Sequence, residues 1–293
     1  MIYVKLFLTA VFWGGTFIAG RVLAQEVEPY SGSFLRFLVA SVCMIPLVWH
    51  FEGRLQQLGR KQVLFVFLSG MTGVFLYNIF FLTGMQTVQA GRASVIVASN
   101  PVLISLFAAL LFRGERMTLL KAIGVALSVC GAVYVITRGN PADILQGAIG
   151  RGELLIFGCV ASWVSYSLIG KVVMRDVQPV SAVTYACLIG SAALLPPALL
   201  EGMAGNLGGY SLSAWLSIVY LGFFGTCLGF IWYYEGIREI GPSKAGVFIN
   251  FVPISAVIMS FFLLGETIDT SLLIGAALVL SGIYLTNRPA DGA

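Results

Sequence analysis

Groups able to take, hold or give a proton are few in this chain, and their placement is informative. All thirteen carboxylates (Glu26, Glu28, Glu52, Glu115, Asp143, Glu153, Asp176, Glu201, Glu235, Glu239, Glu266, Asp269 and Asp291) fall at the ends of apolar runs or between them. None lies mid-run, where a proton relay or a site for a permanently cationic molecule would want one. His50 is the only histidine, which excludes a histidine metal cluster and a His-dependent triad. Cys43, Cys130, Cys159, Cys187 and Cys227 each sit inside an apolar stretch without Cys-x-x-Cys spacing, the pattern of small buried packing residues. Lys171 and Lys244 stand at run ends, so no Ser/Lys dyad is expected at depth. Neither enzyme chemistry, a metal nor a cofactor is expected.

What remains at depth can bind. Asn100 and Asn250 lie beside Pro101 and Pro253 in the middle of two apolar runs, and Tyr77 and Asn78 lie deep in a third. An amide there needs partners, which are either a neighbouring helix or the ammonium or carboxylate of a bound molecule. Each proline removes a backbone donor, leaving the carbonyls of Val97 and Ile249 without helical partners. The pair is either a matched set of hinges or a packing device. Trp13 and Trp163 fall half-way along their runs, too deep for an interfacial belt. They are either bulky packing residues or ring faces for a bound side chain or cation. Phe81, Tyr185 and Tyr234 are further candidates for a cavity wall. Arg36, the basic residue clearly within a run, either snorkels to the nearer surface, pairs with a carboxylate such as Glu28, or holds a bound carboxylate.

These residues are positioned by an unusually apolar chain. Its 293 residues are 58% hydrophobic and 10% charged, with mean hydropathy +0.93. Soluble domains carry about 25% charged residues, so an ordinary globular enzyme, a disordered chain and a disulfide scaffold are excluded. A crossing of about 30 Å needs roughly 20 apolar residues. That window predicts ten spans, at roughly 3–23, 31–50, 62–86, 92–112, 118–137, 152–173, 180–200, 212–236, 244–264 and 270–287. The first begins almost at Met1, lacks a small-residue cleavage site and reads as a retained helix. With the N-terminus cytoplasmic, twelve basic residues lie inside (Lys5, Arg54, Arg60, Lys61, Arg113, Arg116, Lys121, Lys171, Arg175, Arg238, Lys244 and Arg288). Four (Arg21, Arg92, Arg138 and Arg151) lie outside, which places both termini in the cytoplasm. The net charge of +4 is thus a topology signal, and no nucleic-acid partner is expected.

The chain also repeats itself. Trp13 and Trp163, Gly20 and Gly170, Pro29 and Pro179, and Pro46 and Pro196 are 150 residues apart. Gly70 and Gly222, Gly73 and Gly225, Gly84 and Gly236, and Pro101 and Pro253 are 152 apart. Glu115 and Glu266, Gly124 and Gly275, and Gly131 and Gly282 are 151 apart. A near-constant offset across a whole half signals duplication. Residues 1–140 and 147–293 form the two halves. Each holds five spans, an odd number, so the second must enter the membrane from the opposite side. The expected fold is an all-α membrane protein of ten helices in two inverted five-helix repeats, an architecture suited to alternating access. Gly114–Glu115 and Gly265–Glu266 read as helix ends, with Thr118 and Asp269 capping the helices that follow. Gly124/Gly131 and Gly275/Gly282 mark close helix contacts, within the chain or across a homodimer.

The five-plus-five repeat resembles the drug/metabolite transporter superfamily of EamA type. So do Trp13–Gly14–Gly15, Arg36–Phe37, Asn100–Pro101 and the two Gly-Glu steps. Within it the chain is most similar to YddG-type exporters of aromatic and other amino acids. The resemblance covers nearly the whole chain. It implies export of amino acids from the cytoplasm through a cavity between the halves without a prosthetic group; a monomer or homodimer in the bacterial inner membrane, in contact with membrane lipid, is expected. The second half departs from the pattern, with Ala186 in place of the arginine and Val164–Ser165 in place of the glycine pair. Lacking mid-span carboxylates, the carrier is expected to work as a facilitated uniporter, with Glu235 the nearest residue for any proton coupling. The walls are expected from spans one, three, four, six, eight and nine. Rival readings are a multidrug or cationic-compound exporter and a scaffold or channel subunit. A sugar-phosphate carrier would want several deep basic residues, and this chain offers Arg36.

Overall fold

A peptide group in hydrocarbon must find its hydrogen-bond partner within its own segment, and the apolar runs meet that demand by coiling into helices. The computed structural model describes residues 1–112, 117–140 and 150–287, with Tyr234, Ile237, Arg238, Pro242 and Ser243 described in backbone only. Arg113, Gly114, Glu115, Arg116, Asp143, Arg288 and Asp291 lie outside the described residues, as do the side chains of Tyr234 and Arg238. Ten apolar helices emerge close to the predicted spans. They are α1 (Ile2–Ala24), α2 (Pro29–Glu52), α3 (Arg60–Met85), α4 (Ala90–Leu111), α5 (Leu119–Ile136), α6 (Arg151–Val173), α7 (Pro179–Leu200), α8 (Leu212–Tyr233, its helix running on to Ile240), α9 (Lys244–Leu264) and α10 (Thr270–Thr286). Among the described residues the first nine are long and apolar enough to cross a membrane, and α10 is slightly shorter. No strand occurs among the described residues. Large apolar side chains such as Trp49, Leu110, Leu200 and Phe262 point outward and are exposed, which suits lipid and not water.

Some matched helices of the two halves meet antiparallel, α5 with α10 most closely. Where α5 crosses α10, a Cβ on Gly124 would stand 2.6 Å from the Gly282 carbonyl, and one on Gly131 would stand 2.7 Å from the Gly275 carbonyl. The glycine faces are therefore consumed inside the chain, backbone against backbone.

The second self-matched pair is α2 with α7, fastened at both ends by carboxylates. Glu52, the last residue of α2, accepts the N–H groups of Val180 (2.9 Å) and Ser181 (3.0 Å) and the Ser181 hydroxyl, at the start of α7. Glu201, just beyond α7, does the same for α2. It accepts from the N–H groups of Tyr30 (3.2 Å) and Ser31 (2.7 Å) and from the Ser31 hydroxyl (2.8 Å). Each helix thus ends in an anion aimed at its partner's orphan amides. Glu266 likewise accepts from the Ala90 (2.8 Å) and Gly91 (3.0 Å) N–H groups opening α4, and Glu26 holds Ser211 ahead of α8.

Local chemistry sets the remaining ends. Pro29 and Pro179 open α2 and α7, where a missing N–H costs nothing. Gly265 closes α9 in the left-handed region at φ 65°. Thr118 accepts from the Lys121 N–H, and Asp269 from the Leu272 N–H (2.8 Å). Burial at Asp269 pushes its pKa up, but the Ser271 hydroxyl, the Leu272 N–H and the Arg92 and Arg138 charges outweigh it, leaving the carboxyl below its ordinary value.

Four helices depart from α geometry at matched places. α3 and α8 widen into π-helical turns over Gly70–Leu76 and Tyr220–Leu228. α4 breaks at a turn over residues 98–99, and α9 at a 3-10 turn over Phe248–Asn250. Pro101 and Pro253 sit in the first turns of the half-helices that follow, Asn100–Leu111 and Phe251–Leu264, so each starts a new segment. Pro46 and Pro196, by contrast, are carried inside unbroken helices.

Gly282→Val should prevent α10 from approaching α5. The expected result is a destabilisation of about 1–3 kcal/mol or more, read as a lower melting temperature of the detergent-solubilised protein. Gly205→Ala, where a Cβ meets nothing within 4 Å, should melt with the wild type.

Candidate functional site

The broken and widened helices surround a cavity of about 530 Å³ between the halves. Trp13, Arg36, Tyr77, Asn78, Phe81, Asn100, Pro101, Trp163, Asn250 and Pro253 all line it. Tyr185 does not. The cavity side of α7 is formed by Val183, Ala186 and Cys187. Tyr185 faces the loop before α3, and its hydroxyl donates to the Gln56 carbonyl at 2.7 Å. The Tyr234 side chain lies outside the described residues.

The walls extend beyond the six helices expected. α2 contributes Arg36 and Phe37, α7 the three residues named above, and α10 Ile283. Tyr166 and Phe230 also line the cavity and went unnoticed in the sequence; Tyr233, whose position near a span end suggests an interfacial aromatic belt, lines it as well. A signal existed for two of them: Tyr166 lies three residues beyond Trp163, and Tyr233 is the 152-residue counterpart of Phe81.

Two tryptophans organise the aromatic lining, one from each half and each reaching across to the other. The Trp13 indole N–H donates to the Gly225 carbonyl at 3.0 Å, inside the π-helical turn of α8. Its ring lies 5.8 Å from Phe230 and 5.3 Å from Tyr233. Trp163 lies 5.4 Å from Tyr77 and 5.2 Å from Tyr166. Tyr77 in turn stacks on Phe81 at 5.9 Å with 12° between the planes. Glycines allow this crowding: a Cβ at Gly73 would come within 2.4 Å of the Tyr166 ring.

The polar part is asymmetric. Arg36 does not snorkel. It is 8% exposed, and its Nη1 donates to Asn78 Oδ1 at 2.8 Å. Asn78 Nδ2 donates to the Val74 carbonyl at 2.7 Å, which fixes the amide with its oxygen toward the guanidinium. The Arg36 charge also stands 4.8 Å over the Phe37 ring. Its Nε is buried without a hydrogen-bond partner, and so is Asn100 Oδ1. Ion pairs among the described residues lie elsewhere, at Lys5–Glu235 (2.5 Å) and Arg92–Asp269. Glu235, the nearest residue for proton coupling, is therefore already matched with a lysine. No Asp or Glu lines the cavity among the described residues. Burying a guanidinium costs free energy unless it is paired and hydrogen-bonded, so a buried Arg36 with an unpartnered Nε points to use.

The bundle is densely packed at one end. Leu23, Leu82, Met85, Ile96 and Ile156 are fully buried there, where α1 and α3 finish and α4 and α6 begin.

A bundle with an apolar exterior, built of antiparallel matched halves around a cavity of rings and one guanidinium, defines a membrane transporter and not an enzyme. The chain belongs to the EamA-like transporter family, whose sequence model matches residues 1–137 and again 150–288. It is 30% identical over 282 residues to the "Uncharacterized transporter YyaM" of Bacillus subtilis (strain 168), covering 96% of this chain and 92% of that one. It is 29% identical over 287 residues to a "Probable terminal-alkyne amino-acid exporter" of Streptantibioticus cattleyicolor, covering 98% and 93%. A solved crystal structure shares the fold at TM-score 0.64 and 20% identity, covering 97% of this chain and 96% of that chain.

Replacing Asn78 with Leu should strand a buried guanidinium. The expected cost is about 1–3 kcal/mol, seen as a lowered melting temperature. With Arg36→Leu measured as well, the Arg36→Leu/Asn78→Leu double variant should lose less stability than the two single variants together, a non-additivity that a purely local packing role for Asn78 would not produce.

Proposed function

We propose that this protein exports amino acids, aromatic and other small amphipathic ones, from the bacterial cytoplasm across the inner membrane, with both termini cytoplasmic. The observation that carries the reading is the conjunction, in one cavity, of the buried Arg36–Asn78 pair with two tryptophan-centred ring clusters. A guanidinium suits a carboxylate. The partnerless Asn100 oxygen suits an ammonium. Ring faces suit an aromatic or aliphatic side chain. The relative named as an amino-acid exporter supports the same class. A cationic drug fits less well, because the described lining offers a positive charge and no carboxylate.

Transport on this reading proceeds by alternating access. The half-helices around Pro101 and Pro253 act as matched hinges, and the two halves rock about the fixed cavity. The cycle is a facilitated uniport, since the described cavity lining holds no acid to shuttle protons.

The test is counterflow in proteoliposomes. Unlabelled phenylalanine inside should accelerate uptake of labelled phenylalanine, saturably and independently of a pH gradient. Arg36→Gln should weaken half-saturation about 10- to 100-fold, the worth of a hydrogen bond to a charged group, and Trp163→Ala should weaken it less. Uptake indifferent to internal substrate would point to a channel. Strict dependence on a pH gradient would overturn uniport and redirect attention to Glu235.

A further inference from the structure

Arg36 is charged at every physiological pH. Of its five N–H donors, one on Nη1 goes to the neutral amide of Asn78, and Nε has no partner although the residue is more than nine-tenths buried. The described ion pairs lie elsewhere, and the described cavity lining carries no carboxylate. The guanidinium is thus held by dipoles and a ring face, with no fixed counter-charge among the described residues. A carrier that presents this charge to its cavity must also pass through its unloaded conformations.

We propose that Arg36 forms an exchangeable anion site, occupied by the substrate carboxylate in the loaded carrier and by a small monovalent inorganic anion, such as chloride, in the unloaded one. Competition between the two rests on the amino-acid reading above; anion binding itself rests on Arg36 alone. A halide fills only this half of the cavity. It is an acceptor, so it leaves the Asn100 oxygen unsatisfied. An amino acid brings both a carboxylate and an ammonium, and therefore displaces it. The carboxylate analogue 3-phenylpropionate should compete with chloride in the same way, whereas phenethylamine, which lacks the carboxylate, should not.

The experiment measures binding to the purified full chain by calorimetry, at constant ionic strength, in chloride or in the bulky anion isethionate. Chloride should bind saturably. At about ten times its own Kd it should weaken phenylalanine and 3-phenylpropionate binding about elevenfold, the factor expected for one shared site, and leave phenethylamine unchanged. Arg36→Lys, which keeps the charge, should retain the chloride effect, and Arg36→Gln should lose it while eluting as a monodisperse peak. Phenylalanine binding that is equal in both salts would overturn the anion site and leave the amino-acid reading standing. Saturable chloride binding that Arg36→Gln removes, without any phenylalanine binding, would support the anion site and overturn the amino-acid reading instead.

Discussion

Backbone amides that cannot be handed to water decide most of this architecture. Within a helix each finds its partner four residues away, but the first turn of every helix leaves donors over. At four places such donors are taken by a carboxylate from the other half. Glu52 serves the start of α7, and Glu201 serves the start of α2. Glu266 serves α4 and Glu26 serves the approach to α8. The absence of acids from mid-span and their use at the ends are one fact seen twice. A carboxylate is tolerable beside the interface and stabilising against a helix N-terminus, and by reaching across it fixes which helix lies beside which. Loss of one would release a helix end as well as a contact.

The same constraint explains why the cavity sits where four helices lose regularity. A π-helical turn or a break in lipid would expose polar backbone, so such segments survive only when turned toward protein or a polar cavity. The Gly225 carbonyl inside one π turn receives the Trp13 N–H, and the Val74 carbonyl inside the other receives the Asn78 amide. Side chains that define the lining are thus also those that complete the backbone of the irregular helices. Substituting them affects shape as well as recognition.

Much of this was legible in the sequence. The ten helices follow from hydropathy, the repeat from the offsets, and the caps at Thr118 and Asp269 from residue type. Trp13, Trp163 and the asparagines were singled out by their mid-span depth, and they do line the cavity. What escaped was directional. Tyr185 lies next to Ala186, and one residue is about 100° of helix, enough to aim its ring at the Gln56 loop. Arg36 was near enough to a surface for snorkelling. Only the placement of Asn78 on a neighbouring helix shows that it turns inward. The π turns left no mark beyond paired glycines, which serve equally for close packing.

Duplication gives two halves of similar shape, and a strictly symmetric pair would have inward- and outward-facing states of equal energy. This chain is not symmetric where it matters. Arg36 corresponds to Ala186, and Asn78, by the 152-residue offset, to Phe230. The charge and its amide therefore belong to one half, while the ring clusters are shared between both. A ligand shifts a two-state equilibrium only through contacts that differ between the states. On the carrier reading, contacts with the rings are available from both halves and are nearly neutral to direction. A carboxylate on Arg36 is held by the first half alone, so it is the polar end of the substrate, more than its apolar bulk, that distinguishes one state from the other.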